Sequence, residues 1–255
     1  MNPYWHTQAL IIKSRDFKDS DKLVTIFSES VGKLTAVAKG VKKPKSSLRA
    51  CVQPFCHSRL QLNHGRSMDV ITQGKILNFF GNSREELNRT LQSMYLMELL
   101  DKGLMEETPF PELYQSLLFV LERIDQRGEQ PLLIHYFEAQ LLKHNGYHPV
   151  LDYCVRCETP LKGSRRISPA EGGAICELCW ASPTGQAGMV DGETIALLRQ
   201  LFAAPAELVA RLQASALAQQ QLERTLNDWL EYYLERRSQT KEFIRYFKQC
   251  NLAEY

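Results

Sequence analysis

Two pairs of cysteines carry the clearest chemical signal in this chain: Cys154-Val155-Arg156-Cys157 and Cys176-Glu177-Leu178-Cys179. Each pair is C-x-x-C, and eighteen residues separate them, a spacing typical of a four-cysteine zinc site. Two residues between ligands let one tight knuckle aim both thiolates at one ion. Two knuckles complete a tetrahedron with no open position, so such a site holds structure and performs no catalysis. The spacing therefore predicts one structural Zn2+ per chain on Cys154, Cys157, Cys176 and Cys179. Two disulfides, or a redox pair beside a coincidental second pair, are the competing readings. Disulfides require an oxidising compartment, and nothing in the sequence suggests export.

The second signal is electrostatic. The formal net charge is only +2, yet no Asp or Glu occurs from Val31 to Arg66. That stretch carries Lys33, Lys39, Lys42, Lys43, Lys45, Arg49, Arg59 and Arg66, and acids return at Asp69. A local basic patch on a near-neutral protein is the footprint of a polyanion-binding face, and a solvated lysine-rich loop is the plainer alternative. Lys39, Lys42, Lys43, Lys45 and Arg49 are the candidate nucleic-acid contacts. Phe17, Phe27 or Trp5 could offer a stacking surface for bases, though core packing is the commoner use of such residues.

Other chemistry is missing from the sequence. It contains no G-x-x-x-x-G-K-[ST], no H-E-x-x-H and no G-x-S-x-G. His144 and His148 could share a metal on one continuous helix, but Gly146 and Pro149 should end that helix first, so these and His135 read as ordinary polar residues. Of the seven cysteines, Cys51, Cys56 and Cys250 lie outside the knuckles and read as buried or incidental thiols. The chain reads as a non-enzyme. Met1 to His6 has neither a basic start nor an apolar signal core, and no run of eighteen apolar residues occurs, so a cytosolic protein with no membrane association is expected.

The elements that must position these residues follow from periodicity. Short β-branched or alternating runs at 9–13, 23–27, 33–38, 58–62 and 69–72 predict about five strands in the first eighty residues. A small barrel of the OB type is the natural arrangement, since that fold binds oligonucleotides. After Asn82 the pattern turns helical. Ser83-Arg84-Glu85-Glu86 reads as a capping box with Ser83 at the N-cap, followed by a stripe of Leu87, Leu91, Met94, Tyr95 and Leu99. Pro111 and Pro131 open two further helices, the second stopping near Asn145-Gly146. Helices resume after the cysteine segment with Ile195, Leu198, Leu201 and Phe202, then Leu222, Leu226, Trp229, Leu230 and Tyr233, and finally Phe243 to Phe247. The expected fold class is α+β: an N-terminal OB-fold barrel (1–80), an α-helical domain (81–150 and 188–255) and a four-cysteine zinc-ribbon-like insertion (151–187).

Several segments, taken in order, resemble the RecO family of DNA repair proteins. Phe137-Glu138-Ala139-Gln140-Leu141-Leu142 leads through Gly146-Tyr147 into Cys154-Val155-Arg156-Cys157, as in that family. Ala38 to Ser46 looks like its lysine-rich loop, Gln53-Pro54-Phe55 like the strand entry that follows, and Tyr232-Tyr233-Leu234 and 243–247 also fit. The resemblance covers nearly the whole length. It implies a bacterial, cytoplasmic, nucleoid-associated recombination mediator without catalytic residues. Such a protein binds single-stranded DNA, with duplex DNA left open, and anneals complementary strands. It works with RecR, engages the C-terminal tail of the single-strand-binding protein SSB, and helps load recombinase on SSB-coated DNA. The helix from Pro131 to Asn145, with Lys143 as a cation at its rim, is one place for that acidic tail; a solvated helix-end lysine is the alternative. The chain departs from the family at Asp16 to Asp21, where Lys18-Asp19-Ser20 replaces a Gly-Glu pair, and no role is assigned there. Some relatives lack the cysteines, which points to stability as the purpose of the metal. From the knuckles alone, a zinc-ribbon module for RNA or the transcription machinery is the other reading of function.

Overall fold

The computed structural model describes residues 4–161, 165–180, 188–235 and 237–252, the side chains of Arg165 and of residues 248–252 excepted. These form two compact units: Met1–Glu129 with Ser238–Tyr255, and Gln130–Arg237.

The first unit is built on five strands: β1 (Tyr4–Phe17), β2 (Asp21–Ser28), β3 (Gly32–Ala38), β4 (His57–Asn63) and β5 (Val70–Asn78). They run in the order β1-β2-β3-β5-β4, with β4 returning to β1. All pairings are antiparallel except β3 with β5, which is parallel and reaches only from Val37 and Ala38 to Val70 and Ile71. The sheet thus curls into an OB-like, partly open barrel with one short seam. The apolar run Ala9 to Ile12 is buried at every position. Ala9 and Ile11 join the barrel interior with Val24, Ile26, Leu60 and Leu62. Leu10 and Ile12 lie on the alternate face of a strand that packs against a helix, and two-sided burial is what removes the alternation from the sequence. The register shift between Ile11 and Lys13 is a bulge that bends this long strand. A short helix, α1 (Leu48–Cys51), plugs the barrel with Leu48, Cys51 and Val52. Gly32, at φ +83°, makes the β2–β3 turn possible, because a Cβ there would sit 2.0 Å from the Thr108 carbonyl oxygen.

Three helices follow: α2 (Gly81–Glu85), α3 (Leu87–Gly103) and α4 (Pro111–Arg127). The capping box does not form. Phe80 adopts a left-handed backbone (φ +53°) and starts a helix at Gly81, which places Ser83 inside α2 rather than at an N-cap. The Ser83 amide donates instead to Asp125 Oδ1 at 2.8 Å, and the chain breaks at an extended Glu86 before α3 begins. Leu87 is consequently exposed, while Tyr95 and Leu99 of the expected stripe are buried. Pro111 occupies the first turn of α4, and Leu113, Leu117, Val120, Leu121 and Ile124 are its buried face.

The C-terminal helix (Gln239–Leu252) packs on α3 and belongs to this same unit. Glu98 fastens it. Its carboxylate accepts from Ser238 Oγ at 2.8 Å, the Gln239 amide at 3.0 Å and the Thr240 amide at 2.9 Å, and from Lys102 Nζ. A carboxylate at a helix N-terminus satisfies orphan amides and opposes the positive end of the dipole. Burial alone would raise its pKa, but the hydrogen bonds from Lys102, Thr240 and Ser238 outweigh it and hold Glu98 at about 2. A depressed carboxyl contributes its stability above the unfolded value and loses it as pH falls toward the folded one. The helix should therefore loosen between pH 4.5 and about 2. Screening at a side chain still 15% exposed brings the expected contribution to about 1–2 kcal/mol. Glu98→Gln should speed amide hydrogen exchange in residues 239–247 at pH 7 and flatten its acid dependence between pH 4.5 and 2; unchanged protection would remove Glu98 as the fastener.

The second unit centres on α5 (Pro131–His144), in which every residue from Leu132 to Leu142 is buried. Its polar members are satisfied inside: His135 Nδ1 meets Glu138 Oε2 at 2.7 Å, and Gln140 Nε2 donates to the Leu201 carbonyl at 2.7 Å. The helix ends as expected. Gly146 is left-handed (φ +86°), its amide donates to the Lys143 carbonyl, and the Tyr147 amide reaches back to Leu142. His144 and His148 therefore lie on either side of the stop, and His148 packs edge-on to Phe202. Strands β6 (Arg165–Ser168) and β7 (Gly173–Ile175), the turn α6 (Glu177–Trp180) and strand β8 (Gly188–Val190) form the cysteine lobe. Helices α7 (Gly192–Ala203), α8 (Ala206–Val209) and α9 (Ala216–Leu234) complete the unit, all three packing on α5, and the C-terminal helix is α10.

The fold is α+β, as expected. The division expected at residue 80 follows the last barrel strand, whereas the compact units divide at Glu129–Gln130 and leave α2, α3, α4 and α10 with the barrel. Among the described residues no helix is long and apolar enough to cross a membrane.

Candidate metal centre and nucleic-acid interface

The cysteine lobe is assembled from short-range hydrogen bonds. The Cys154 carbonyl accepts from the Glu158 amide at 2.9 Å and the Cys154 amide donates to the Thr159 carbonyl at 2.9 Å, closing the first knuckle, with Glu158 left-handed at φ +55°. The Val155 amide donates to the Ala174 carbonyl on β7 at 3.0 Å, which fixes that knuckle to the small sheet. The second knuckle starts at Cys176 as β7 ends, and the Cys176 carbonyl accepts from the Trp180 amide at 3.1 Å. Across the gap the Cys176 amide donates to Cys154 Sγ at 3.4 Å.

All four sulfurs lie within 4.8 Å of one another, close enough to hold one metal ion. Cys157 and Cys176 Sγ are 3.7 Å apart, against about 3.8 Å for the edge of a tetrahedron with zinc–sulfur bonds of about 2.3 Å. The residues fit the ion. Burial raises the Cys154 thiol, but the amides of Cys176, Arg156 and Cys157 outweigh it and bring it down to about 6. Hydrogen bonding to the sulfurs of Cys157 and Cys176 pushes Cys179 up to about 12. Arg156, one of the two residues between the first ligands, clasps the knuckles together. It forms a two-point pair with Glu171 (2.7 and 3.2 Å) and donates to the Cys179 carbonyl at 2.9 Å. No sequence pattern marks it, because both partners lie outside its own knuckle. Cys51 and Cys56 are buried in the barrel, and the side chain of Cys250 lies outside the described residues.

The basic stretch folds as a braced loop between β3 and α1. Lys39, Lys43, Lys45 and Arg49 are exposed and Lys42 is half-buried. The Gly40 amide donates to Asp21 Oδ1 at 2.8 Å, the Lys42 amide to the Ser20 carbonyl at 3.0 Å, and Lys42 Nζ pairs with Asp16 at 2.8 Å. The β1–β2 hairpin, assigned no role from sequence, is thus what anchors this loop. Both acids are held below the usual carboxylate range, Asp16 first by its bond to Lys42 and Asp21 first by its bond from the Gly40 amide. Arg49 turns its guanidinium onto the carbonyls of Lys42 (2.7 Å) and Lys43 (3.0 Å) and braces the loop from within.

The five candidates therefore divide into three exposed ammonium groups, Lys39, Lys43 and Lys45, and two side chains with structural partners, Lys42 and Arg49. Lys18 and Lys22, electrostatic neighbours of Asp21 and Asp16, add to this face. Lys33 does not. It is 9% exposed, its Nζ donates to the Asp101 carbonyl at 2.9 Å, and burial lowers its pKa. Phe27 is core, packed against Tyr114, and Trp5 is half-buried with its indole N–H on Asp69. Phe17, half-buried beneath Lys18 Nζ, is the aromatic next to the loop's anchor. On α5, Leu132 to Leu142 are buried, and Lys143, exposed at the helix end, donates from Nζ to the Phe202 carbonyl at 3.1 Å.

Residues 1–80 match the family described as Recombination protein O N terminal, and residues 84–242 match Recombination protein O C terminal. A DNA repair protein RecO of Syntrophomonas wolfei is 48% identical over 221 residues, covering 86% of this chain and 87% of the relative. Those of Moorella thermoacetica and Desulforamulus reducens are 34% identical over 242 residues and 32% identical over 246 residues. These alignments cover 94% and 96% of this chain, and 90% and 95% of the respective relatives.

Proposed function

The chain belongs to the RecO family of DNA repair proteins and has a role in recombination repair, and from that premise we propose that it is a recombination mediator working by single-strand binding and annealing. In this reading it acts in the bacterial cytoplasm at the nucleoid, with RecR, on strands coated by SSB, and helps recombinase replace that coat. The observation that carries the reading is the braced loop, which presents Lys39, Lys43 and Lys45 outward on an OB-like barrel.

Phosphate neutralisation by these lysines releases counterions and needs no base contact, so binding is sequence-tolerant and falls with salt. Annealing two flexible strands is a proximity task, and a basic surface that lowers their mutual repulsion performs it without a catalytic group. No residue is given a catalytic role. The four cysteines hold one structural Zn2+, which keeps the lobe around Arg156 folded and takes no part in strand pairing.

The test is annealing of complementary strands pre-coated with SSB, with and without this protein and RecR. Acceleration that fades with added salt is expected. Failure to accelerate while RNA is bound in preference to DNA would replace the mediator with a zinc-ribbon RNA module.

A further inference from the structure

On the barrel, a cleft of 570 Å3 is lined by Trp5, Leu34, Thr35, Asp69, Glu106 and Glu107, among others. It lies where the seam between β3 and β5 stays open. Strand β5 pairs with β3 only at Val37 and Ala38. At the other end of β3 the Lys33 carbonyl accepts from the Glu107 amide at 2.8 Å, and the Val37 amide donates to the Asp69 carbonyl at 2.8 Å. Main-chain groups alternate sides along a strand, so the odd residues of β3 point at the seam and the even ones at β2. Thr35, between the two occupied positions, therefore turns its N–H and C=O into the cleft, with no main-chain partner among the described residues.

One N–H and one C=O on a single strand residue are what one residue of an added extended chain satisfies. The walls indicate what chain that is. Trp5 and His64 stack at 6.2 Å and, with Leu34, give an apolar and aromatic side. The exposed carboxylates of Glu106 and Glu107 accept no hydrogen bond from described residues, and together with Asp69 they outnumber the one guanidinium, Arg66. A nucleic-acid backbone would be repelled here, whereas Lys or Arg side chains would be held by the carboxylates and the indole face. We infer that this cleft docks an extended, basic peptide segment of a partner protein. The segment pairs its main chain with Thr35 and alternates apolar residues toward Trp5 and Leu34 with Lys or Arg toward Glu106 and Glu107.

Selection of random octapeptides displayed on phage, with the full-length chain as bait, tests this. The selected pool should alternate apolar with Lys or Arg. A synthetic member of the pool should shift the Thr35 amide resonance, and its affinity should fall by at least about tenfold in the surface variant Glu106→Lys/Glu107→Lys. Thr35→Pro, which removes the seam-facing N–H and spares the β2–β3 ladder, should weaken binding as well. The inference is overturned if no peptide is enriched, if the pool lacks basic residues, or if the double variant binds it undiminished. Displacement by a thymidine oligonucleotide would reassign the cleft to nucleic acid.

Discussion

Replacing Cys176 with serine should empty the metal centre and unfold the cysteine lobe while sparing the barrel. In sites of this kind the metal supplies the folding free energy, on the order of 10 kcal/mol or more in isolated zinc modules. The lobe has little else. Its strands β6, β7 and β8 are four, three and three residues long, too short for independent stability. Cys176 is the most informative ligand to remove, because its amide also donates to Cys154 Sγ and its carbonyl starts the α6 turn. Zinc released per chain, read with a chromogenic chelator, should fall from about one to near zero. Proteolysis should cut between 150 and 190, and the helices on α5 should persist. Cys51→Ala, in the barrel, should leave zinc content unchanged and so serves as the control. Stoichiometric zinc with unaltered melting in Cys176→Ser would refute the assignment.

How far such features can be read before folding depends on sequence distance. The knuckles are legible because each ligand pair is set by a four-residue turn. The starts of α4 and α5 are legible from Pro111 and Pro131, and the end of α5 from Gly146, because a missing amide or a left-handed backbone acts locally. The Ser83 capping box fails although its pattern is complete. The decisive acceptor, Asp125, comes from another helix, and the left-handed Phe80 starts α2 early. The return of α10 to α3 through Glu98 is equally invisible, since Glu98 and Ser238 stand 140 residues apart. The basic stretch is half legible. Its charge is plain, but nothing local separates exposed Lys43 from Lys33, whose ammonium meets the Asp101 carbonyl, or from Lys42, whose partner is Asp16 on another strand.

That last distinction sets the expected outcome for each lysine if the loop is the DNA face proposed above. Lys39→Ala/Lys43→Ala/Lys45→Ala should lower single-strand affinity by about 100-fold near 0.1 M salt, and should reduce the slope of log affinity against log salt by about 2. Both figures follow from three lost phosphate contacts at about 0.7 counterions each. The barrel should keep its melting temperature, because all three side chains are exposed and bear no load in the fold. Lys42→Ala should cost less affinity than any of the three, since its charge is already paired with Asp16 at 2.8 Å. Asp16→Ala should act with the opposite sign: it removes an anion from the face and frees Lys42, raising affinity severalfold and steepening the salt slope. The Asp21 and Ser20 contacts to Gly40 and Lys42 still hold the loop in that variant. Arg49→Lys keeps the charge but loses the rigid guanidinium whose single Nη2 donates to both the Lys42 and the Lys43 carbonyl. It should loosen the loop and weaken binding with little change in slope. Unchanged affinity in the triple variant would move the DNA face elsewhere. A loss of affinity on Asp16→Ala would instead make the hairpin clamp, and not the free charge, the limiting feature of this surface.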